Sequence, residues 1–288
     1  MTELTLYDVL TTLDVAQVDD DLFEATQLDN PAHHIVGGHI AGQAVVAASR
    51  TAPQRTAHSA HVYFLRAGDA RYPVQMRVDR LRDGGSLSTR RVTATQDGQV
   101  LLEALASFTV RIDSVDTHHP MPDVPDPDTL PPVTEQLVAY ADEFGGLWVR
   151  PQPIERRYID PPPRVAYDLP EPPARTRMWW RATEPVPDDP ALNSALLTYV
   201  TGTSTLEAAM VAHRTTPLHS FNALIDHALW FHRPAHLTDW VLADQFSPSS
   251  LGGRGLATAT MYNRTGELVC TATQELYFGR PARSGSRR

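Results

Sequence analysis

The 288-residue sequence contains no lysine, one cysteine and no apolar run long enough to span a membrane. A single cysteine, Cys270, excludes an internal disulfide framework and a cysteine-rich metal site, and its place in a strand-like segment indicates a buried structural thiol. The sequence also lacks a basic-then-apolar leader after Met1. We therefore expect a soluble cytoplasmic protein with no membrane partner.

Basic residues are fewer than acidic ones, 25 against 34, which gives a net charge of −9. This charge argues against a nucleic-acid partner, because neutralising phosphates requires a basic surface. All basic side chains are arginine, which binds small phosphate groups well, although compositional bias explains the absence of lysine more simply. The 12 histidines form no HxxxH or HExxH pair on a predicted helix, so we expect no metal and no cofactor.

An internal repeat organises the chain. Residues 221–276 have the pattern of a β-meander, in which apolar and β-branched runs alternate with Ser-Pro-Ser-Ser, Gly-Gly and Arg-Thr-Gly turns. An earlier copy occupies residues 61–108: YFLR at 63–66 corresponds to WFHR at 230–233. Residues 48–53 likewise correspond to 212–217 at nearly the same offset, which indicates a duplication. Each copy follows an Ala-rich segment with helical spacing, at residues 40–50 and 191–213.

Two copies of a helix followed by a meander predict an α+β fold. A central helix wrapped by an antiparallel sheet is a hotdog, and two in one chain form a double hotdog. We predict an N-terminal hotdog at 1–112 and a C-terminal hotdog at 147–280. A linker rich in proline and aspartate at 113–146 separates them, and a disordered tail occupies 281–288.

Several motifs, in order, resemble those of the TesB-like, or type II, acyl-CoA thioesterases. Residues 36–44 (VGGHIAGQA) are similar to the family's VFGGQxxGQA, and residues 61–69 (HVYFLRAGD) to its HSYFLRPGD. Residues 226–234 (DHALWFHRP) and the later Gln274-Glu275 are similar to its DHxxWFHRP and QE. The resemblance covers most of the chain. It implies a double hotdog, a homodimer or homotetramer, that hydrolyses fatty acyl-CoA to fatty acid and CoA. The acyl chain is expected in an apolar tunnel and the CoA phosphates beside arginines.

The resemblance also implies a catalytic trio of Asp, Ser or Thr, and Gln, of which this chain keeps only Gln274. The family's Asp falls on Gly202 and its Ser or Thr on Leu224, and neither residue accepts a proton or orients water. Installing Asp at position 202 together with Thr at position 224 is therefore expected to raise the rate of hydrolysis.

Two interpretations of the missing residues remain open. In the first, the base has been relocated, with Asp226, Glu275, Glu207 and His39 as candidates. His39 replaces a glutamine of the family at the start of the first central helix, and imidazole has a suitable pKa for proton transfer. In the second, the protein binds acyl-CoA with weak or no hydrolysis.

Gly37 and Gly38 precede the first central helix and allow two roles. They could present backbone N–H groups to a developing oxyanion at the helix start, or they could only permit close helix packing. A fainter resemblance concerns residues 29–33 (DNPAH), which are similar to the D-x-N-P-x-H of enoyl-CoA hydratases with the spacing shifted by one residue. Hydratase activity is the less favoured alternative.

Overall fold

The computed structural model describes residues 4–30, 32–146, 148–213 and 222–279. Within them lie six α-helices and thirteen strands. The helices are α1 (Leu6–Leu13), α2 (Gly37–Arg50), α3 (Val133–Gln136), α4 (Pro163–Ala166), α5 (Pro190–Ser204) and α6 (Leu206–His213). The strands are β1 (Ala16–Asp19), β2 (Leu22–Ala25), β3 (Thr56–Phe64), β4 (Val74–Asp83), β5 (Leu87–Gln96), β6 (Gln99–Thr109), β7 (Ile154–Tyr158), β8 (Arg175–Ala182), β9 (Asn222–Leu224), β10 (Asp226–Phe231), β11 (Val241–Leu251), β12 (Arg254–Asn263) and β13 (Leu268–Phe278).

All strands in the described ranges belong to one antiparallel sheet. Their order is β1-β2-β4-β5-β6-β3-β10-β13-β12-β11-β8-β7, and β9 pairs with β13. The two repeats occupy the two halves of this order and join where β3 pairs with β10, from Tyr63 opposite Asp226 to Ser59 opposite Trp230. The predicted double hotdog is confirmed, and so is the hairpin turn at residues 264–266 between β12 and β13.

α2 is the central helix of the first repeat, and its residues from Gly38 to Ala48 are buried. A helix whose side chains are small and apolar on all sides can be buried inside a domain. In this chain the strands of the first half surround α2. The second repeat departs from the single helix predicted at 191–213. α5 begins at Pro190 after an Asp189 cap that accepts the backbone N–H groups of Ala191 and Leu192. It ends at Ser204, and α6 follows after Thr205.

α2 and α5 run antiparallel and pack closely. Arg50 at the end of α2 forms an ion pair of 3.2 Å with Asp189 at the start of α5. At the other end Gly38 lies against Tyr199 and Gly202. The offset that relates residues 48–53 to 212–217 also relates Gly38 to Gly202. Equivalent glycines of the two repeats therefore meet at the helix crossing.

The segment between β6 and β7 packs on the second half. Trp179 donates from its indole N–H to the carbonyl of Pro125 at 3.1 Å, and Arg157 donates to the carbonyl of Pro127 at 2.8 Å. Trp179 and Trp180 point to opposite faces of β8, as expected for a strand pair, because Trp180 lies in the main core and Trp179 under this segment. The boundaries of the two hotdogs stay predictions, and the predicted disordered tail at 281–288 lies outside the described residues.

Two sequence expectations concern Cys270 and membrane-spanning helices. Cys270 is buried, as predicted, and burial raises the pKa of its thiol. Among the described residues, no helix combines the length and the apolar character needed to cross a membrane.

Candidate functional site

Gln274 is buried in β13 on the sheet face that carries α6. It lies opposite Ala257 of β12, and Ala257 packs against Ala209 of α6. The neighbours two residues away along the strand, Ala272 and Leu276, are apolar and buried. Neither the oxygen nor the nitrogen of the Gln274 amide has a hydrogen-bond partner among the described residues. An unpaired buried amide is costly, so this side chain is a strong candidate for a functional group.

Leu224 and Gly37 lie on the same side of the sheet as Gln274. Leu224 is directly opposite Leu276 in the β9–β13 pair, two residues along the strand from Gln274. A Cβ placed on Gly37 would come 2.7 Å from Cδ1 of Leu224. The structure therefore brings three of the predicted positions to one place, beside the start of α2.

Gly202 is also at this place, but it leaves no room for a side chain. A Cβ at residue 202 would come 2.5 Å from Cα and 3.3 Å from N of Gly38. Both atoms belong to the backbone and cannot rotate away. The expectation that Asp at position 202 would supply a base is therefore wrong for this backbone, because the carboxylate would first have to separate the two central helices.

The close-packing role of Gly37 and Gly38 is clear from the same contacts. A Cβ on Gly38 would come 2.7 Å from the carbonyl oxygen of Tyr199, and a Cβ on Gly37 would meet Leu224. Val36 is the N-cap of α2 and has no side-chain acceptor for the first-turn N–H groups. Their use as oxyanion donors stays a prediction.

His39 lies at a different place, towards α1. Its Nε2 is 2.8 Å from the Thr12 hydroxyl, its ring packs edge-on against Tyr199, and the side chain is fully buried. Burial lowers the pKa of His39 to about 3. An imidazole with so low a pKa is a weak base near neutral pH. The structure does not bring His39 together with Gln274.

Asp226 and Glu275 lie on the opposite face of the sheet from Gln274. His227 points to the helices, with Nε2 2.9 Å from the Thr201 hydroxyl, so its neighbour Asp226 points away. The Asp226 carboxylate accepts the backbone N–H of Glu275 at 2.9 Å, where the pairing of β13 changes from β10 to β9. Burial raises the pKa of Asp226. This geometry gives Asp226 a role in closing the sheet and does not place it with Gln274.

Sequence reasoning missed two polar groups near these positions. His227 is buried against Thr201, the residue before Gly202, and burial lowers the pKa of His227 to about 4. Gln245 of β11 is fully buried, and neither amide atom has a partner in the described ranges. The sequence carries no distinct signal for Gln245, because β11 also contains Asp244 and several serines.

Two adjoining cavities flank the end of α5 and the start of α6. One of about 220 Å³ extends from Val36 to Arg156, and one of about 260 Å³ extends from Arg156 to Met210. Both are lined by Gln152, Arg156 and Thr203. Glu207 lines the larger cavity, so of the four candidate bases it is the one beside open space here.

In the hydratase-like stretch the structure describes residues 29, 30, 32 and 33. The side chains of Asp29 and His33 face solvent, and the side-chain Oδ1 of Asn30 accepts the backbone N–H of Ala32 at 3.0 Å. Among the described residues, no group of three or more His, Cys, Asp or Glu side chains could hold a metal ion.

Comparison with known proteins gives the family. Residues 152–277 match the model of the acyl-CoA thioesterase family, and residues 26–109 match that of the acyl-CoA thioesterase N-terminal domain. Acyl-coenzyme A thioesterase 8 of Homo sapiens is 31% identical over 93% of this chain and 87% of its own length. The chain belongs to the acyl-CoA thioesterase family.

Solved structures of acyl-CoA thioesterases agree with the TesB-like resemblance. The tesB protein of Mycobacterium avium subspecies paratuberculosis is 43% identical, with a TM-score of 0.81 over 95% of this chain and 99% of that one. The acyl-CoA thioesterase II TesB2 of Mycobacterium marinum is 34% identical, with a TM-score of 0.78 and the same coverage. This acyl-CoA thioesterase chain therefore has the family's fold across both repeats.

Proposed function

We propose that this chain hydrolyses fatty acyl-CoA thioesters to the free fatty acid and CoA. The observation that carries the proposal is the buried Gln274 amide, which has no partner in the described part of the chain and lies beside the start of α2. Family membership supplies the substrate class, because the relatives are named acyl-CoA thioesterases.

Gln274 can serve hydrolysis in two ways with the same geometry. Its N–H groups can donate to the thioester oxygen as negative charge develops there, or its amide can hold the attacking water. Either contact replaces the hydrogen bond that the buried amide lacks. We expect the acyl chain beside α6, where a cavity of about 260 Å³ is lined by apolar side chains such as Leu137, Leu206 and Met210 as well as by charged ones.

Acyl-CoA binding with weak or no hydrolysis is the second candidate function. Gly202 and Leu224 favour it, because the positions of the family's Asp and Ser or Thr carry no polar side chain. Leu224 packs with Leu206 and Leu276 in an apolar cluster, so no hydroxyl at that position can hold a water next to Gln274.

A panel of acyl-CoA substrates tests the choice between the two. Purified protein is mixed with acyl-CoA of two to eighteen carbons, and free CoA is measured with a thiol reagent. Hydrolysis predicts steady release of more than one CoA per protein molecule for some chain lengths. Tight binding of acyl-CoA without release above the uncatalysed rate would favour the binding protein.

A homodimer or homotetramer in the cytoplasm is part of the same proposal. Its support is an exposed patch at the centre of the sheet, where Tyr63, Leu105 and Trp230 point to solvent on the face opposite the helices. Symmetric pairing of two such patches would cover them. Light scattering of the wild type and of Trp230→Glu measures whether this face holds an oligomer together.

A further inference from the structure

Glu207 is a buried carboxylate on the wall of the larger cavity. Only 8% of the residue is exposed. Its Oε1 accepts a hydrogen bond from Arg156 at 2.9 Å, and its Oε2 accepts one from the Tyr158 hydroxyl at 2.8 Å. Gln152, Arg156 and Thr203 line both this cavity and the smaller one, and the smaller one is also lined by Val36, the N-cap of α2. Two cavities with shared lining residues therefore lie between the start of α2 and this carboxylate.

The first repeat shows that the fold itself does not require a carboxylate here. The repeat offset that relates Gly38 to Gly202 relates Gln43 to Glu207. The Gln43 nitrogen donates to the carbonyls of Thr12 and Thr26 at 2.7 and 2.6 Å, and its oxygen accepts from Gln27 at 2.9 Å. In the first half, α1 and the two residues that follow β2 fill the space beside this position with bonded groups. In the second half, the equivalent position holds a carboxylate and faces a cavity.

The positions of the other candidate bases leave Glu207 as the one that can meet a substrate. Asp226 and Glu275 lie on the far face of the sheet, and His39 is enclosed between α1 and Tyr199. Resting on the proposed hydrolase function, we propose that Glu207 is the general base of this chain. Its carboxylate takes a proton from a water molecule as the water oxygen attacks the thioester carbonyl carbon. The C–S bond then breaks, and the leaving CoA sulfur receives the proton from Glu207.

The surroundings of Glu207 make its carboxylate a stronger base than an exposed one. Burial raises the pKa of Glu207, while Arg156 and the Tyr158 hydroxyl oppose that rise. The charged and titratable groups that line the same cavity are Arg150, Arg156, Tyr158, Arg164 and Tyr167. Leu206, the residue before Glu207, packs in the apolar cluster with Leu224 and Leu276, and Leu276 lies two residues along β13 from Gln274.

Glu207→Gln tests the base directly, because the amide keeps the size and an acceptor for Arg156. We expect kcat to fall by about 10²–10⁴-fold, the usual contribution of general-base catalysis, with little change in KM. Binding of a non-hydrolysable thioether analogue of the best substrate should stay within threefold of the wild type. If the wild type hydrolyses acyl-CoA and Glu207→Gln keeps kcat within threefold, Glu207 is not the base and the hydrolase function stands. If the wild type releases no CoA from any substrate, the hydrolase function itself fails.

Tyr158→Phe gives a second test that does not depend on Glu207→Gln folding. Loss of its hydrogen bond removes a group that lowers the Glu207 pKa, so the acid limb of the kcat/KM profile should move to higher pH. Tyr167→Phe is the matched control, because Tyr167 lines the same cavity and donates no hydrogen bond to Glu207 within the described structure. Equal profiles for the wild type and both variants would overturn the proposal.

Discussion

At the scale of residues, Gln274 combines a functional position with a cost in stability. Its amide is buried among apolar neighbours with no partner in the described part of the chain, and such a group lowers the free energy of unfolding. Gln274→Met keeps the volume and removes the polar atoms. We expect the free energy of unfolding to rise by about 1–3 kcal/mol, as measured by urea denaturation. We also expect kcat to fall by about 10²–10³-fold if the amide donates to the oxyanion.

Gln245→Met is the matched control for this prediction. Gln245 is also fully buried on an inner strand face, with both amide atoms unpartnered in the described ranges, and it has no assigned role in the chemistry. The substitution should raise stability by a similar amount and leave hydrolysis unchanged. Equal losses of activity in both variants would contradict a specific role for Gln274.

His39 gives a prediction about acid stability. Its pKa is about 3 in the folded protein, far below the usual value near 6.5 that it regains on unfolding. The unfolded chain therefore binds a proton that the folded chain excludes, so stability is lost as the pH falls below about 6.5 and towards 3. His39→Gln removes this proton from the balance. The free energy of unfolding, measured by urea denaturation between pH 7.5 and 4.5, should then fall less steeply with decreasing pH. The difference in slope should be up to about 1.4 kcal/mol per pH unit.

The remaining acid dependence has a separate source. His227 is buried with a pKa of about 4 and should keep part of the slope in the His39 variant. His118→Gln, at an exposed position of the connecting segment, controls for the loss of a histidine ring. A slope in His39→Gln as steep as in the wild type would show that His39 is accessible to protons in the folded state.

The sequence predicted some of these residues and not others, for a physical reason. Gln274 was found because a glutamine interrupts an apolar strand in a matched motif, and Gly202 and Leu224 because they break that match. The environment of Glu207 was not predictable, since it depends on Tyr158, 49 positions earlier, packing against α6. The steric obstacle to Asp at position 202 was not predictable for the same reason, because Gly38 and Gly202 meet only after both helices have packed.

At the scale of elements, the close crossing of α2 and α5 limits which side chains can replace the glycines at the contact. Gly202→Ala places a Cβ 2.5 Å from the Gly38 backbone, so the helices must move apart. Overpacking of this kind costs about 1–3 kcal/mol, and we expect a loss of at least this size in urea denaturation. Gly85→Ala is the control, because a Cβ there meets nothing within 4 Å. Equal stability of Gly202→Ala and Gly85→Ala would contradict the close crossing.

The break between α5 and α6 was also beyond prediction from periodicity. Residues 191–213 are apolar on most sides, and the pattern of a buried helix contains no signal for an interruption at Thr205. Only the start had a local signal, the Asp189-Pro190 cap. The break matters for function because Thr203 and Glu207, on either side of it, both line the larger cavity.

At the scale of the whole molecule, the internal repeat predicted the architecture well. Two copies of a helix and a meander fold into two halves of one sheet, as the matched motifs required. The repeat could not predict the asymmetry between the halves. In the first half α1 closes the space beside Gln43, while in the second half the connecting segment leaves a cavity beside Glu207. Duplication thus supplied a scaffold in which one half could hold a substrate.

The shared sheet predicts that the two halves unfold together. β3 pairs with β10, and α2 packs on α5, so unfolding of one half would expose the central helix and the edge strand of the other. All 5 tryptophans lie at residues 148–240, so tryptophan fluorescence reports on the second half. Phe108→Ala removes a fully buried side chain of β6 in the first half and should cost about 3–5 kcal/mol. We expect the fluorescence midpoint in urea to fall together with the midpoint from far-UV circular dichroism.

Met261→Ala is the companion variant, because Met261 is fully buried in β12 of the second half and must move the fluorescence transition in any case. It calibrates how far the tryptophan signal shifts for a known loss of core packing. If Phe108→Ala leaves the fluorescence midpoint at its wild-type value while the dichroism transition splits in two, the halves are independent domains. A common shift in both variants means that the cavity beside Glu207 in the second half depends on the first half for its stability, since the cooperative unit then extends across the β3–β10 junction.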